Sequence, residues 1–231
     1  MRQATILVPG LNCSPRLYAP QVPALWRFGP VTVADHTRDE TMAAIAGRIL
    51  AEAPPRFALA GLSMGGYVAL EILRQAPDRV TRLALLDTGA RADPPEATET
   101  RKARMALAES ARFADVVETM WPALVHPDHR ANGAMKQTYV AMCDDVGPEA
   151  FVRQQKAIIA RVDSRPLLPT IRCPALVLVG AQDELTPPHL ADEMAAAIPG
   201  ARRVTVPDCG HLSTIERPEA VTEALVAWMR A

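Results

Sequence analysis

Nucleophilic acyl transfer needs a serine, a histidine and a carboxylate, and this chain carries one of each where its pattern passes from strand to loop or helix. The serine is Ser63, in Ala60-Gly61-Leu62-Ser63-Met64-Gly65-Gly66, after the apolar run Phe57-Ala58-Leu59 and before a helical stretch, Tyr67–Arg74. Glycines on both sides of one serine let strand and helix approach closely around it, holding it in a strained turn that presents its hydroxyl. Free N–H groups at the start of the helix favour negative charge developing there.

A serine hydroxyl is a weak nucleophile until a base takes its proton, and a third group must orient that base. Of five histidines, His211 is the one expected to serve, because it follows the strand Arg203–Val206 through the tight segment Pro207-Asp208-Cys209-Gly210. His36, His126, His129 and His189 lack that placement. For the carboxylate, Asp183 follows the strand Ala175–Val179 in Gly180-Ala181-Gln182-Asp183. The C-terminal ends of parallel strands share one edge, where catalytic loops collect, so Asp183 and His211 are expected on adjacent loops. Asp87, after Leu83–Leu86, is a rival for the same role, while Asp208 reads as a turn former.

Acyl transfer also calls for two donors to a developing oxyanion. One is expected from the Met64 N–H, directly after the serine. The other is expected from the loop after the first strand, with Leu11 N–H the first choice and Asn12 N–H the second. The side chains of Asn12, Cys13, Tyr18 and Trp121 are candidates for a substrate pocket.

The elements that must position these residues are legible as apolar runs. Ala4–Val8, Val31–Ala34, Arg56–Ala60, Leu83–Leu86, Ala175–Val179 and Arg203–Val206 are nearly continuous rather than alternating, as in strands buried on both faces. Thr41–Ala53 places Met42, Ile45, Ile49 and Leu50 at helical spacing and stops at Pro54-Pro55; Tyr67–Gln75, Leu190–Ala197 and Pro218–Met229 read as further helices. Such alternation predicts an α/β fold, a parallel sheet with helices on both faces. From about 92 to 165 the rhythm breaks into helices only: Glu99–Ala111, Phe113–Leu124, Gly133–Met142 and Glu149–Val162. The expected organisation is a core of 1–91 and 166–231 with a helical cap inserted at 92–165. Phe113, Met120, Trp121, Leu124, Tyr139 and Phe151 are expected to be mainly the insertion's own packing surface, with one or two of them lining a pocket.

Composition narrows the function classes. A chain of 231 residues, 49% hydrophobic, is ample for one packed α/β domain with an insertion. A net charge of −1 with 22% charged residues gives no basic surface for nucleic acid or an anionic membrane, and favours small neutral ligands. The short apolar run at the N-terminus is too brief for a signal-peptide core, and no segment nears the roughly 20 apolar residues that span a bilayer, so a soluble, cytoplasmic protein is expected. Cys13, Cys143, Cys173 and Cys209 lie far apart, without zinc or redox spacing; free thiols are expected, with no metal and no organic cofactor.

Four stretches together resemble the α/β-hydrolase superfamily, in its compact group of carboxylesterases and lactonases: Leu7-Val8-Pro9-Gly10-Leu11, the Gly61–Gly66 turn, Gly180-x-x-Asp183 with Thr186-Pro187-Pro188, and Cys209-Gly210-His211-Leu212 with Glu216-Arg217-Pro218. The resemblance implies Ser63 as nucleophile, His211 as general base and acid, and Asp183 as the orienting carboxylate. It also implies a three-layer α/β/α fold. Because the chain starts at the strand normally third, the first two antiparallel strands of the usual eight are expected to be missing, leaving six parallel ones. Pro9 departs from the family's usual His-Gly and lacks an N–H, so hydrogen bonding in that loop must differ.

The activity so implied is hydrolysis of small carboxylic esters. A lactonase similar to the 3-oxoadipate enol-lactone hydrolases, a thioesterase or a methyl-ester hydrolase would use the same residues, and a non-catalytic small-molecule receptor is the reading from another class.

Overall fold

In the computed structural model, which describes residues 2–231, each of the six apolar runs is a strand; Met1, where the expected core segment begins, lies outside the described residues. The strands are β1 (Thr5–Val8), β2 (Val31–Val33), β3 (Phe57–Leu62), β4 (Val80–Leu86), β5 (Ala175–Gly180) and β6 (Arg202–Val206). All pair in parallel, in the order β2-β1-β3-β4-β5-β6. Every residue of β1, β3 and β5 is buried, which explains the unbroken apolar runs.

That order fixes where a site can form. The chain enters at β1, steps outward to β2, then returns across β1 to build β3 through β6 on the other side. Loops leaving the C-terminal ends of β1 and β3 therefore diverge, and the crevice between them is where ligands bind in sheets of this kind. Gly10-Leu11-Asn12 follows β1, and Ser63 follows β3.

Helices cover both faces. On one, α2 (Met42–Glu52), α3 (Met64–Gln75) and α8 (Pro188–Ala197) pack against Ile6, Val8, Leu59 and Val177. On the other, α1 (Val22–Leu25) and α10 (Pro218–Arg230) pack against Leu7, Ala58 and Leu178. Residues 6, 7 and 8 alternate between the two cores, as a strand's period of two requires. The helix after Ser63 begins at Met64 rather than Tyr67. Gly65 and Gly66 are poor helix formers, but both are fully packed there and the fold overrides their propensity.

Between β4 and β5 run α4 (Pro95–Glu109), α5 (Phe113–Leu124), α6 (Gly133–Val146) and α7 (Pro148–Ile159); α9 (Ser213–Glu216) is a short helix ahead of α10. The expectation that the insertion packs mainly on itself needs correction. Val116, Met120, Trp121, Leu124, Tyr139 and Phe151 belong to one continuous core with Leu7, Ala60 and Leu178 of the strands. The inserted helices are thus built onto the sheet's own core. Helix α4 contributes least, with Ala108 as its one buried residue and Met105 and Leu107 packed against the same core. All four cysteines are free thiols. Among the described residues, no helix is long and apolar enough to cross a membrane.

Candidate active site

Ser63 adopts φ 55° and ψ −116°, a conformation costly for any residue with a Cβ, by about 1–3 kcal/mol. Its surroundings impose that conformation. The Ser63 N–H donates to Leu86 O of β4 at 3.0 Å, and its carbonyl accepts from Thr88 Oγ1 at 2.8 Å. The flanking glycines are required by close approach rather than by positive φ: a Cβ on Gly61 would collide with the Gly65 carbonyl, and one on Gly65 with the Val8 carbonyl. Strand, turn and helix are locked together, with the hydroxyl left at the crevice.

His211 meets that hydroxyl. Its Nε2 lies 2.8 Å from Ser63 Oγ and its Nδ1 2.8 Å from Asp183 Oδ2. The second oxygen of Asp183 accepts the Leu185 and Thr186 N–H groups, each at 2.9 Å, and Thr186 Oγ1 donates to Oδ2 at 2.7 Å. Both His211 and Asp183 are buried. Burial works against the imidazolium, but the Asp183 carboxylate against Nδ1 outweighs it and holds the His211 pKa above the ordinary histidine value. For Asp183 burial again acts first, and again the charge and hydrogen bonds of His211 prevail, keeping its pKa below the usual carboxylate value.

Asp87 lies outside this chain of contacts. Its Oδ1 accepts the Gly180 N–H at 2.9 Å and its Oδ2 accepts from Ser213 Oγ. Full burial, reinforced by the nearby Asp183 charge, pushes its pKa well above the usual carboxylate range. Asp208 sits at a turn with φ 48°, its backbone carbonyl held by Arg217 Nε at 2.9 Å.

The loop after β1 bends through Asn12, at φ 60°. With Pro9 unable to donate, the Gly10 carbonyl organises the loop. It accepts the Cys13 N–H at 3.1 Å and contacts His36 Nε2 at 2.9 Å; burial lowers the His36 pKa, which favours the neutral ring as donor. The Asn12 N–H is committed to Gln154 Oε1 of α7 at 2.9 Å. Among the described residues, the Leu11 and Met64 N–H groups have no protein acceptor. Of the three expected donors, these two remain free to receive negative charge.

A cavity of about 260 Å³ opens over Ser63 and His211. Leu11 lines it, with Tyr67 from α3, Met120 and Leu124 from α5, and Arg104 from α4. Of the four side chains expected to line a pocket, Cys13 does so and the other three lie elsewhere. Trp121 stacks on Tyr139 with ring centroids 5.6 Å apart and donates Nε1–H to Arg130 O, because one residue along a helix is a turn of about 100° and only Met120 and Leu124 share the cavity face. Tyr18 is fully buried, its hydroxyl donating to Val8 O at 3.1 Å, and so braces the end of β1. Asn12 is buried beneath its own loop.

Several residues that hold the site carry weaker sequence signals. His36 follows β2 at the same sheet edge, and that placement was the available clue. Glu216 is a buried carboxylate whose oxygens accept Gly210 N, His126 N and His129 Nδ1 at 2.9, 2.7 and 2.8 Å. It fastens the His211 loop to the segment after α5, a link invisible without the fold.

The comparisons with known proteins agree with this fold. The sequence matches the profile described as "Alpha/beta hydrolase family" over residues 6–224. A thermophilic esterase from Thermogutta terrifontis is similar in structure, with TM-score 0.90 and 32% identity, covering 99% of this chain and 89% of the esterase. The enol-lactonase from Burkholderia xenovorans superposes with TM-score 0.90 at 27% identity, covering 100% of this chain and 92% of the lactonase. In sequence, a pimeloyl-[acyl-carrier protein] methyl ester esterase of Neisseria meningitidis is 28% identical over 215 residues, 87% of this chain and 81% of the esterase.

Proposed function

The chain belongs to the alpha/beta hydrolase family and is a hydrolase, and we propose that it cleaves small carboxylic esters through an acyl-enzyme on Ser63. The observation that carries the proposal is the continuous hydrogen-bonded chain from Ser63 Oγ through His211 to Asp183, with 2.8 Å at each link, beside a cavity lined by Ser63 and His211.

The steps follow from that geometry. Ser63 Oγ attacks the acyl carbon while His211 Nε2 takes its proton; Asp183 holds Nδ1–H and stabilises the imidazolium. The oxygen that becomes negative is received by the Leu11 and Met64 N–H groups, with the start of α3 adding its positive end. His211 returns the proton to the departing alkoxide. Water then enters, gives its proton to the same nitrogen and attacks the acyl carbon, releasing the acid and restoring Ser63.

A lactone would be opened by the same atoms, its alkoxide remaining tethered to the acyl group, and the likeness to an enol-lactonase over the whole chain favours this as the second reading. A parallel panel of methyl esters, thioesters and lactones on wild type and Ser63→Ala tests both. Turnover of linear esters that Ser63→Ala abolishes is the expected result; turnover confined to lactones would replace the ester reading, and turnover retained by Ser63→Ala would end both.

A further inference from the structure

Helix α4 turns an unusual face to the cavity. Ala97, Thr100, Arg101 and Arg104, spaced i, i+3, i+4 and i+7, form one stripe of the helix and look onto the space above Ser63, while Met105, Leu107 and Ala108 pack on the core. The two arginines are not equivalent. Arg101 is engaged, its Nε 2.6 Å from Asp93 Oδ2 and its Nη1 2.9 Å from Gln155 Oε1. Asp93 is shared with a further cation, Arg161 Nη1 at 2.5 Å. Arg104 is partly buried and, among the described residues, has neither an ion pair nor a hydrogen-bond partner. Burial and the neighbouring Arg101 charge both disfavour its protonated form. No carboxylate lines this cavity.

Asp93 is shared by two arginines, Arg101 and Arg161, and Arg104 has no counter-ion, so the cavity wall carries uncompensated positive charge. A guanidinium drawn partly out of water without a counter-ion is costly, and arginine is the side chain whose planar fork matches a carboxylate in a two-point contact. The cavity that Arg104 and Ser63 share is also lined by Leu62, Met120, Leu124 and Ile158, apolar side chains suited to a methylene chain.

We propose that Arg104 is a specificity-determining residue that binds a carboxylate carried by the substrate, so that the preferred substrates are half-esters of short dicarboxylic acids. The inference rests on the acyl-transfer reading of Ser63, and it departs from the neutral ligand that overall charge favours. The carboxylate binds Arg104, the methylene chain lies along the apolar wall, and the ester at the other end reaches Ser63.

The test compares monomethyl esters of dicarboxylic acids with methyl esters of monocarboxylic acids of matched length, on wild type, Arg104→Gln and Arg104→Lys. In wild type the best half-ester exceeds its neutral counterpart in kcat/KM by about tenfold or more, chiefly through KM; Arg104→Gln brings that ratio near one, and Arg104→Lys restores part of it. A second measurement needs no turnover: calorimetric binding of glutarate, adipate and pimelate to Ser63→Ala, with and without Arg104→Gln. Binding lost with Arg104→Gln supports the anion site even if every ester proves inert, in which case the acyl-transfer reading alone falls. A wild-type ratio near one, a ratio that Arg104→Gln leaves unmoved, or dicarboxylate binding independent of Arg104 would overturn the proposal.

Discussion

The Leu124 carbonyl, at the end of α5, accepts the backbone N–H of His211 at 3.1 Å, and that of Leu212 at 3.0 Å, so the loop carrying the imidazole is suspended from an inserted helix rather than from the sheet alone. The helical insertion therefore does more than cover the site. It sets the position of His211.

Glu216 is the side-chain half of that suspension. Glu216→Ala strands three donors, two of them backbone N–H groups, and is expected to cost about 2–4 kcal/mol of folding stability. The rate should fall with it, because Gly210 and His211 lose their brace. Urea denaturation beside steady-state kinetics checks both; an unchanged midpoint with unchanged kcat would show the carboxylate to be dispensable.

Activity should be lost on acidification. In the proposed mechanism the working base is neutral His211, whose pKa is raised, so protonation begins at a higher pH than for a free histidine and kcat/KM falls as pH drops through a midpoint above about 6.5. Asp183→Asn removes the charge that favours the imidazolium, and the midpoint then moves to lower pH. A pH profile of the two proteins decides this, and an acid limb well below 6 in wild type would speak against His211 as the base.

Asp183 and Asp87 can be told apart by the same conservative change. Asp183→Asn lets His211 adopt the wrong tautomer and should lower kcat by about 10³–10⁴-fold. Asp87→Asn keeps oxygen and polar group within reach of Gly180 and Ser213, and since burial already disfavours the Asp87 charge, its rate should stay within about tenfold of wild type. The reverse ranking in single-turnover kinetics would move the orienting role to Asp87.

Tyr18 should matter for stability and not for substrate choice. Tyr18→Phe removes a buried hydrogen bond to Val8 O and is expected to cost about 1–2 kcal/mol, while relative kcat/KM values across an ester chain-length series stay in the same order. A reordered series would return Tyr18 to the pocket.

What the sequence made legible follows from period and position. Strands β1, β3 and β5, buried on both faces, leave continuous apolar runs, while the partly exposed edge strands β2 and β6 show through their β-branched Val and Thr residues, and the parallel sheet then brought Ser63, Asp183 and His211 to one edge because each follows a strand. The Gly61 and Gly65 signal was strong because backbone atoms occupy the space of a Cβ there. Apart from Cys13, the pocket was not legible. Met120 and Trp121 are neighbours in sequence but face different neighbours across α5, and Tyr18 lies in a short 3-10 turn whose direction no periodicity reveals. Arg104 reads as an ordinary solvated helix charge until the fold lays α4 over the cavity. Gln154, which occupies the Asn12 N–H, comes from a helix 142 residues away in sequence.

The most direct test of Ser63 as the acyl-transfer nucleophile is intact-protein and peptide mass spectrometry after treatment with a fluorophosphonate. The account predicts one adduct per chain, mapped to the peptide containing Ser63, loss of ester turnover in step with labelling, and no adduct on Ser63→Ala. Labelling at another residue with turnover abolished, or full turnover by Ser63→Ala, would contradict it.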